Sequence, residues 1–150
     1  MPENLCEFEI FRKKWPIVFA VDTTGSMEGQ HLTQLNIALQ EISDMLESLA
    51  NQNEVQLSIR LIEYNTTAHW LVGNLEFGME YLDVYFSDAA GLTNTAEALR
   101  LVRDVMSCRY LGHRSLKPLV ILITDGYSIN PQETAEEIDK LKICTLGRHN

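Results

Sequence analysis

Two uninterrupted apolar runs end in aspartate, and this repeated pattern constrains the fold more than any other feature of the sequence. Residues 17–21 lead directly into Asp22, and residues 119–123 lead through one threonine to Asp125. Strands without a polar position are typical of parallel sheets that are covered on both faces. The carboxyl ends of parallel strands meet at one edge of the sheet, where open α/β sheets bind ligands. Both aspartates are therefore expected at that edge.

The first half of the chain predicts a strand, a helix and a hairpin. Residues 15–21 predict the first strand. The helix is predicted from apolar residues at steps of three and four, expected to face the core: Leu32, Leu35, Leu39, Ile42, Met45, Leu46 and Leu49. Residues 55–61 alternate apolar with polar and predict a strand with one wetter face. A turn signal at 65–67 and residues 68–72 predict its antiparallel partner at the sheet edge. Residues 75–88 lack a dominant period and predict a short helix or an irregular segment.

The second half predicts two helices around the second apolar run. Asn94 and Glu97 have the spacing of a capping box, and Asn130 with Pro131 predicts another helix start. The inward residues are expected to be Ala98, Leu99, Val102, Val105 and Met106 in the first helix, and Ala135, Ile138 and Leu141 in the second, shorter one. Residues 143–146 predict a final strand.

These elements predict an α/β fold. We expect a doubly wound, Rossmann-like open sheet that is mostly parallel, with one antiparallel edge strand and helices on both faces. Residues 1–14 are predicted to be an N-terminal arm or edge strand, and residues 15–150 one domain.

Composition excludes several classes of function. The net charge of −9 argues against a sequence-independent nucleic-acid binder, which needs a basic patch. Cys6, Cys108 and Cys144 are widely spaced, as is typical of free thiols in a reducing compartment. No apolar run approaches the roughly 20 residues of a membrane span, and no signal peptide is visible. These features predict a cytoplasmic protein.

Oxygen-bearing side chains follow both apolar runs and also open the helix near residue 94. Asp22, Thr24 and Ser26 occupy every second position, so an extended loop can turn all three to one side. Thr93 lies in a third loop, and Asp125 follows the second run. Carboxylates and hydroxyls are ligands that Mg²⁺ prefers. The expected metal ligands are Asp22, Thr24, Ser26, Thr93 and Asp125.

Taken together, these three motifs resemble the metal-ion-dependent adhesion site of the von Willebrand factor type A family. The family's Asp-x-Ser-x-Ser loop corresponds to residues 22–26, where Thr24 replaces the middle serine and keeps its hydroxyl. Thr93 matches the distant threonine, with Thr95 as an alternative register, and Asp125 matches the distant aspartate. The resemblance extends from about residue 15 to residue 146.

The resemblance implies a binding module without catalytic residues. In the family, the equivalents of Thr24 and Ser26 hold the ion directly, Asp22 and Asp125 act through water or directly, and Thr93 joins when the site is engaged. A partner protein supplies the last ligand, a Glu or Asp. We expect Mg²⁺, with Mn²⁺ or Ca²⁺ as alternatives.

Within the family, the chain is most similar to cytosolic bacterial members associated with tellurite resistance and stress. It ends about where the family's sixth strand and last helix begin. We therefore expect those elements to be missing through truncation, to be absent from a minimal variant, or to be supplied by a partner.

Other functions compete with this interpretation. An aspartic protease is disfavoured because the extra threonine breaks its Asp-Thr-Gly loop and a helix follows. A haloacid-dehalogenase-type phosphatase would need an acid at position 24, and there is no Gly-rich nucleotide loop or nucleophile elbow. A metal-assisted hydrolase and a structural subunit with an idle metal site remain the alternatives.

Overall fold

The computed structural model describes residues 13–24, 30–75, 91–105, 115–124, 126 and 128–146. In these residues, strands and helices follow one another in the order expected of an α/β fold. They are β1 (Lys14–Asp22), α1 (Gln30–Gln52), β2 (Gln56–Tyr64), β3 (Ala68–Leu75), α2 (Thr95–Val105), β4 (Leu119–Ile123) and α3 (Pro131–Leu146).

The four strands form one sheet in the order β3-β2-β1-β4. β1 pairs in parallel with β2 on one side and with β4 on the other, whereas β3 pairs antiparallel with β2. The predicted mostly parallel sheet with one antiparallel edge strand is therefore confirmed. Because the three parallel strands point the same way, their carboxyl ends lie at one edge, as the apolar runs predict.

Both faces of the sheet are covered by helices, as predicted. Phe19 and Val21 of β1 face α1, where Leu35 and Leu39 complete the larger core. Val18 and Ala20 face the opposite side and pack with α2, whose contribution includes Val102. Every residue from Ile17 to Val21 is fully buried, so the first apolar run is confirmed as a strand covered on both faces.

Three predictions about local structure are wrong. Residues 143–146 belong to α3 and not to a final strand, because extending a helix adds one hydrogen bond per residue fixed. Met45 and Leu49 of α1 are 72% and 47% exposed, so the face that α1 buries is narrower than the apolar pattern predicted. Ser58 of β2 is buried, because α2 packs on the face that the alternation had marked as wetter.

Helix α3 packs on the core through only one of its three predicted apolar positions, Leu141, and it also docks through charge. Ala135 and Ile138 are exposed, whereas the Glu137 side chain is only 4% exposed. The Glu137 carboxylate lies 3.5 Å from Arg100 Nε and 3.3 Å from Arg103 Nε, both on α2. With Glu137 facing α2 in this way, Ala135 and Ile138 lie on the exposed side of α3.

Strand β4 is less covered than its all-apolar sequence predicts. Leu119 and Leu122, which point to opposite faces, are 37% and 40% exposed. In the described residues β4 has a strand neighbour on one side only. None of the helices in these residues combines the length and the apolar character needed to cross a membrane.

Candidate metal centre

Asp22 is the last residue of β1, and its carboxylate is completely buried at the carboxyl edge of the sheet. Its Oδ1 accepts a hydrogen bond from the backbone N–H of Thr24 at 2.9 Å. Its Oδ2 accepts from the hydroxyl of Thr124 at 2.6 Å, and Thr93 Oγ1 lies 3.3 Å from the same oxygen. A carboxylate has only acceptor sites, so these three donors satisfy a group that would otherwise be costly to bury.

The Thr93 hydroxyl brings the loop before α2 into contact with the loop after β1. Its Oγ1 is 3.3 Å from Asp22 Oδ2 and 3.4 Å from Thr24 Oγ1. The hydroxyl has one hydrogen, so it donates to one of these oxygens at a time and keeps lone pairs for another partner. Thr24 and Thr93 are 4% and 8% exposed. Both side chains are therefore largely enclosed.

The end of β2 supports the loop after β1. The Tyr64 carbonyl accepts from the backbone N–H of Thr23 at 2.8 Å and from its hydroxyl at 3.3 Å. The phenolic oxygen of Tyr64 lies 3.3 Å from Thr95 Oγ1. Thr95, the first residue of α2, contacts Tyr64, whereas Thr93 contacts Asp22. The geometry favours Thr93 over the alternative register at Thr95.

The structure brings together three of the five predicted ligands: Asp22, Thr24 and Thr93. Ser26 and Asp125 lie outside the described residues, so their part in the site stays a prediction. The chain passes close to the site on both sides of position 125. Thr124 bonds Asp22, and a Cβ atom at Gly126 would lie 3.5 Å from Thr93 Oγ1.

Thr124 is a site residue that sequence reasoning missed. It directly follows β4, and Ile123 pairs with Val21, so Thr124 lies beside Asp22. The only sequence signal is a hydroxyl at the first position after an apolar run that ends near an aspartate. Its role becomes visible once the register between β1 and β4 is known.

The donor set suits a hard divalent cation. The described side chains at the site offer one carboxylate and three hydroxyls, with no sulfur or imidazole among them. Oxygen ligands of this kind favour Mg²⁺, Mn²⁺ or Ca²⁺ over softer metals. Among the described residues, no three His, Cys, Asp or Glu side chains are grouped in a way that could hold a metal ion.

The chain belongs to the von Willebrand factor type A family, because the model of the von Willebrand factor type A domain matches residues 17–147. Domains of this family commonly mediate protein–protein interactions. The voltage-dependent calcium channel subunit alpha-2/delta-3 of Homo sapiens is 28% identical over 143 residues. That match covers 79% of this chain and 12% of the channel subunit, and the Mus musculus protein matches equally.

Solved structures share the fold at low sequence identity. The vWF domain of the type V pili tip protein Mfa5 from Porphyromonas gingivalis has a TM-score of 0.59 and 20% identity, over 78% of this chain and 39% of that one. The ArnB paralog VWA2 from Sulfolobus acidocaldarius has a TM-score of 0.50 and 18% identity, over 77% and 28% of the two chains. These similarities show the fold.

Proposed function

We propose that this domain is a metal-dependent interaction module that binds an acidic side chain of a partner protein through a Mg²⁺-type ion. The convergence of Asp22, Thr24 and Thr93 at the carboxyl edge of the sheet carries this proposal. We propose that Asp22, Thr24, Ser26, Thr93 and Asp125 hold the ion. When bound, such an ion would supply positive charge at a site whose own donors are largely neutral.

The charge of the proposed ligands indicates why the partner would supply an acidic side chain. The described hydroxyls of Thr24, Thr93 and Thr124 carry no formal charge, and Asp22 contributes one negative charge. Where Asp22 and the proposed ligand Asp125 act through water, the ligands in direct contact with the cation are uncharged hydroxyls, so an incoming Glu or Asp gains a charge-assisted contact. The similar proteins agree with an interaction role, because one is a channel subunit and another is a pilus tip protein.

The proposal is tested by calorimetric titration of Mg²⁺ and Mn²⁺ into the wild type, Asp22→Asn and Asp44→Asn. Asp22→Asn keeps the shape of the buried side chain, and Asp44→Asn removes the same charge from an exposed site on α1. We expect saturable binding in the wild type and in Asp44→Asn, and none in Asp22→Asn. Equal binding by all three proteins would refute the assignment of the site.

The partner's chemistry is tested by selection from a random peptide library with Mg²⁺ or with chelator. We expect Asp or Glu to be enriched at one position only with the wild type and only when Mg²⁺ is present. Peptides enriched equally by Asp22→Asn would show that binding uses another surface.

We also propose that the domain binds without catalysing a reaction and acts in the cytoplasm. The spacing of Cys6, Cys108 and Cys144 supports the location. A role in a bacterial stress or tellurite-resistance system rests on the resemblance to those family members. Turnover of a generic phosphoester that depends on Mg²⁺ and is lost in Asp22→Asn would instead establish a metal-assisted hydrolase.

A further inference from the structure

We infer that the turn between β2 and β3 is a positioning device for Thr93, and that Thr66 is its main positioning residue. Thr66 contacts neither Asp22 nor Thr24 in the described structure, so it would act only through the loop that carries Thr93. This inference rests on the proposed metal-binding function of the site.

Hydrogen bonds hold the residues on both sides of Thr93. The backbone N–H of Leu92 donates to Thr66 Oγ1 at 3.0 Å, and the backbone N–H of Asn94 donates to the Asn65 carbonyl at 2.8 Å. The Asn94 side-chain amide also donates to the Thr66 carbonyl at 3.2 Å. The turn therefore fixes the backbone immediately before and immediately after the ligand residue.

The Asn94 side chain shows that the turn takes precedence over helix capping. The sequence places Asn94 where it could cap α2, which begins at the next residue. Its Nδ2 instead bonds the turn, and its buried Oδ1 has no hydrogen-bond partner in the part of the chain that the structure describes. Asn94 therefore does not cap α2 with its side chain. It connects the start of α2 to residues 65–66 instead.

Gly91 fits the same arrangement from the other side. Its φ of +78° favours glycine, and a Cβ atom at this position would lie 2.7 Å from Thr66 Oγ1. Any residue other than glycine at position 91 would therefore require the loop or Thr66 to shift. The carbonyl of Thr93 also accepts from the Ile129 N–H at 2.8 Å, so the backbone that carries the Thr93 side chain is held at the residue itself as well.

The test is Mn²⁺ binding measured by electron paramagnetic resonance of the free aqua ion. Thr66→Val removes the acceptor but keeps the shape of an exposed side chain, and Thr66→Ser restores the acceptor. Thr67→Val is the matched control, because it changes an exposed threonine on the same turn whose described bonds use its backbone. We expect Thr66→Val to weaken Mn²⁺ binding by about 2- to 10-fold, the effect of one ordinary hydrogen bond.

We expect Thr66→Ser and Thr67→Val to stay within about twofold of the wild type, and Gly91→Ala to weaken binding in the same sense as Thr66→Val. A general loss of stability would not be rescued by serine, so the serine variant separates positioning from folding. Wild-type affinity in Thr66→Val, or equal losses in the valine and serine variants, would overturn the inference while leaving the proposed function intact. If the wild type binds no Mn²⁺, the proposed function falls, and the inference falls with it.

Discussion

Replacing Thr124 with valine tests whether the hydroxyl after β4 stabilises the buried Asp22 carboxylate. The distance of 2.6 Å between Thr124 Oγ1 and Asp22 Oδ2 is within the range for a hydroxyl that donates to a carboxylate. Valine has nearly the same shape as threonine, so the substitution removes the donor without leaving a cavity. The experiment is best performed in chelator, where no cation contributes to stability.

The expected loss follows from the surroundings of the two groups. A hydrogen bond to a charged group contributes about 1.5–3 kcal/mol, and the lower end applies because Thr124 is exposed and water can replace part of the bond. We therefore expect Thr124→Val to lower the free energy of unfolding by about 1.5 kcal/mol. For a chain of 150 residues this corresponds to a fall in Tm of about 3–6 °C.

Urea denaturation at equilibrium measures this change, with Thr124→Ser as the control that keeps the hydroxyl. The slope of the free energy against urea should be the same for all three proteins, because the surface exposed on unfolding does not change. Equal stability of the valine variant and the wild type would refute the assigned bond. Equal destabilisation of the valine and serine variants would assign the effect to packing.

Three further substitutions test other features of the structure, each by urea denaturation. Glu137→Gln removes the buried charge that faces Arg100 and should destabilise the domain by about 2 kcal/mol. This loss is smaller than the loss on breaking a fully buried ion pair, because the Arg100 side chain is partly exposed. If added salt leaves the difference in stability unchanged, the effect is not ionic. Gly91→Ala forces a Cβ atom to within 2.7 Å of Thr66 Oγ1 at a φ of +78° and should cost about 1–3 kcal/mol; a neutral effect would mean that the loop has shifted. Burial lowers the pKa of the Arg60 guanidinium, whose Nη1 has no hydrogen-bond partner among the described residues, so Arg60→Met should stabilise the domain by about 1 kcal/mol; a loss of stability would indicate that the stem of Arg60 packs better than methionine.

Much of the fold could be predicted because it depends on the spacing of apolar residues along the sequence. The run at residues 17–21 has no polar position, and it lies in an inner strand of the described sheet that is buried on both faces. Asp22 and Thr24 point to the same site because an extended chain alternates its side chains. Thr93 meets them because the residues on both sides of it bond the turn after β2, which lies at the same edge of the sheet.

The errors arose where period alone is ambiguous. Residues 143–146 are a short apolar stretch whose pattern suits a strand or a helix. In the structure they continue the helix α3, which begins at Pro131. Ser58 lies on a face whose polar residues suggested solvent, yet α2 covers that face. Glu137 was not predicted to be buried, because its partners Arg100 and Arg103 lie on a helix whose position only the tertiary structure provides.

The place of β1 in the sheet also has a mechanical consequence. The strand that carries Asp22 is paired in parallel through nine residue pairs with β2 and through five with β4. A pull on the loop after Asp22, directed along β1, loads these two ladders in shear, so many hydrogen bonds must yield together and not one after another. We expect force spectroscopy with attachment at the loop after β1 to give a higher rupture force than attachment at the β2–β3 turn, where the edge strand can be peeled away pair by pair. The end of β1 is therefore a place where an attached load is resisted by two parallel ladders at once.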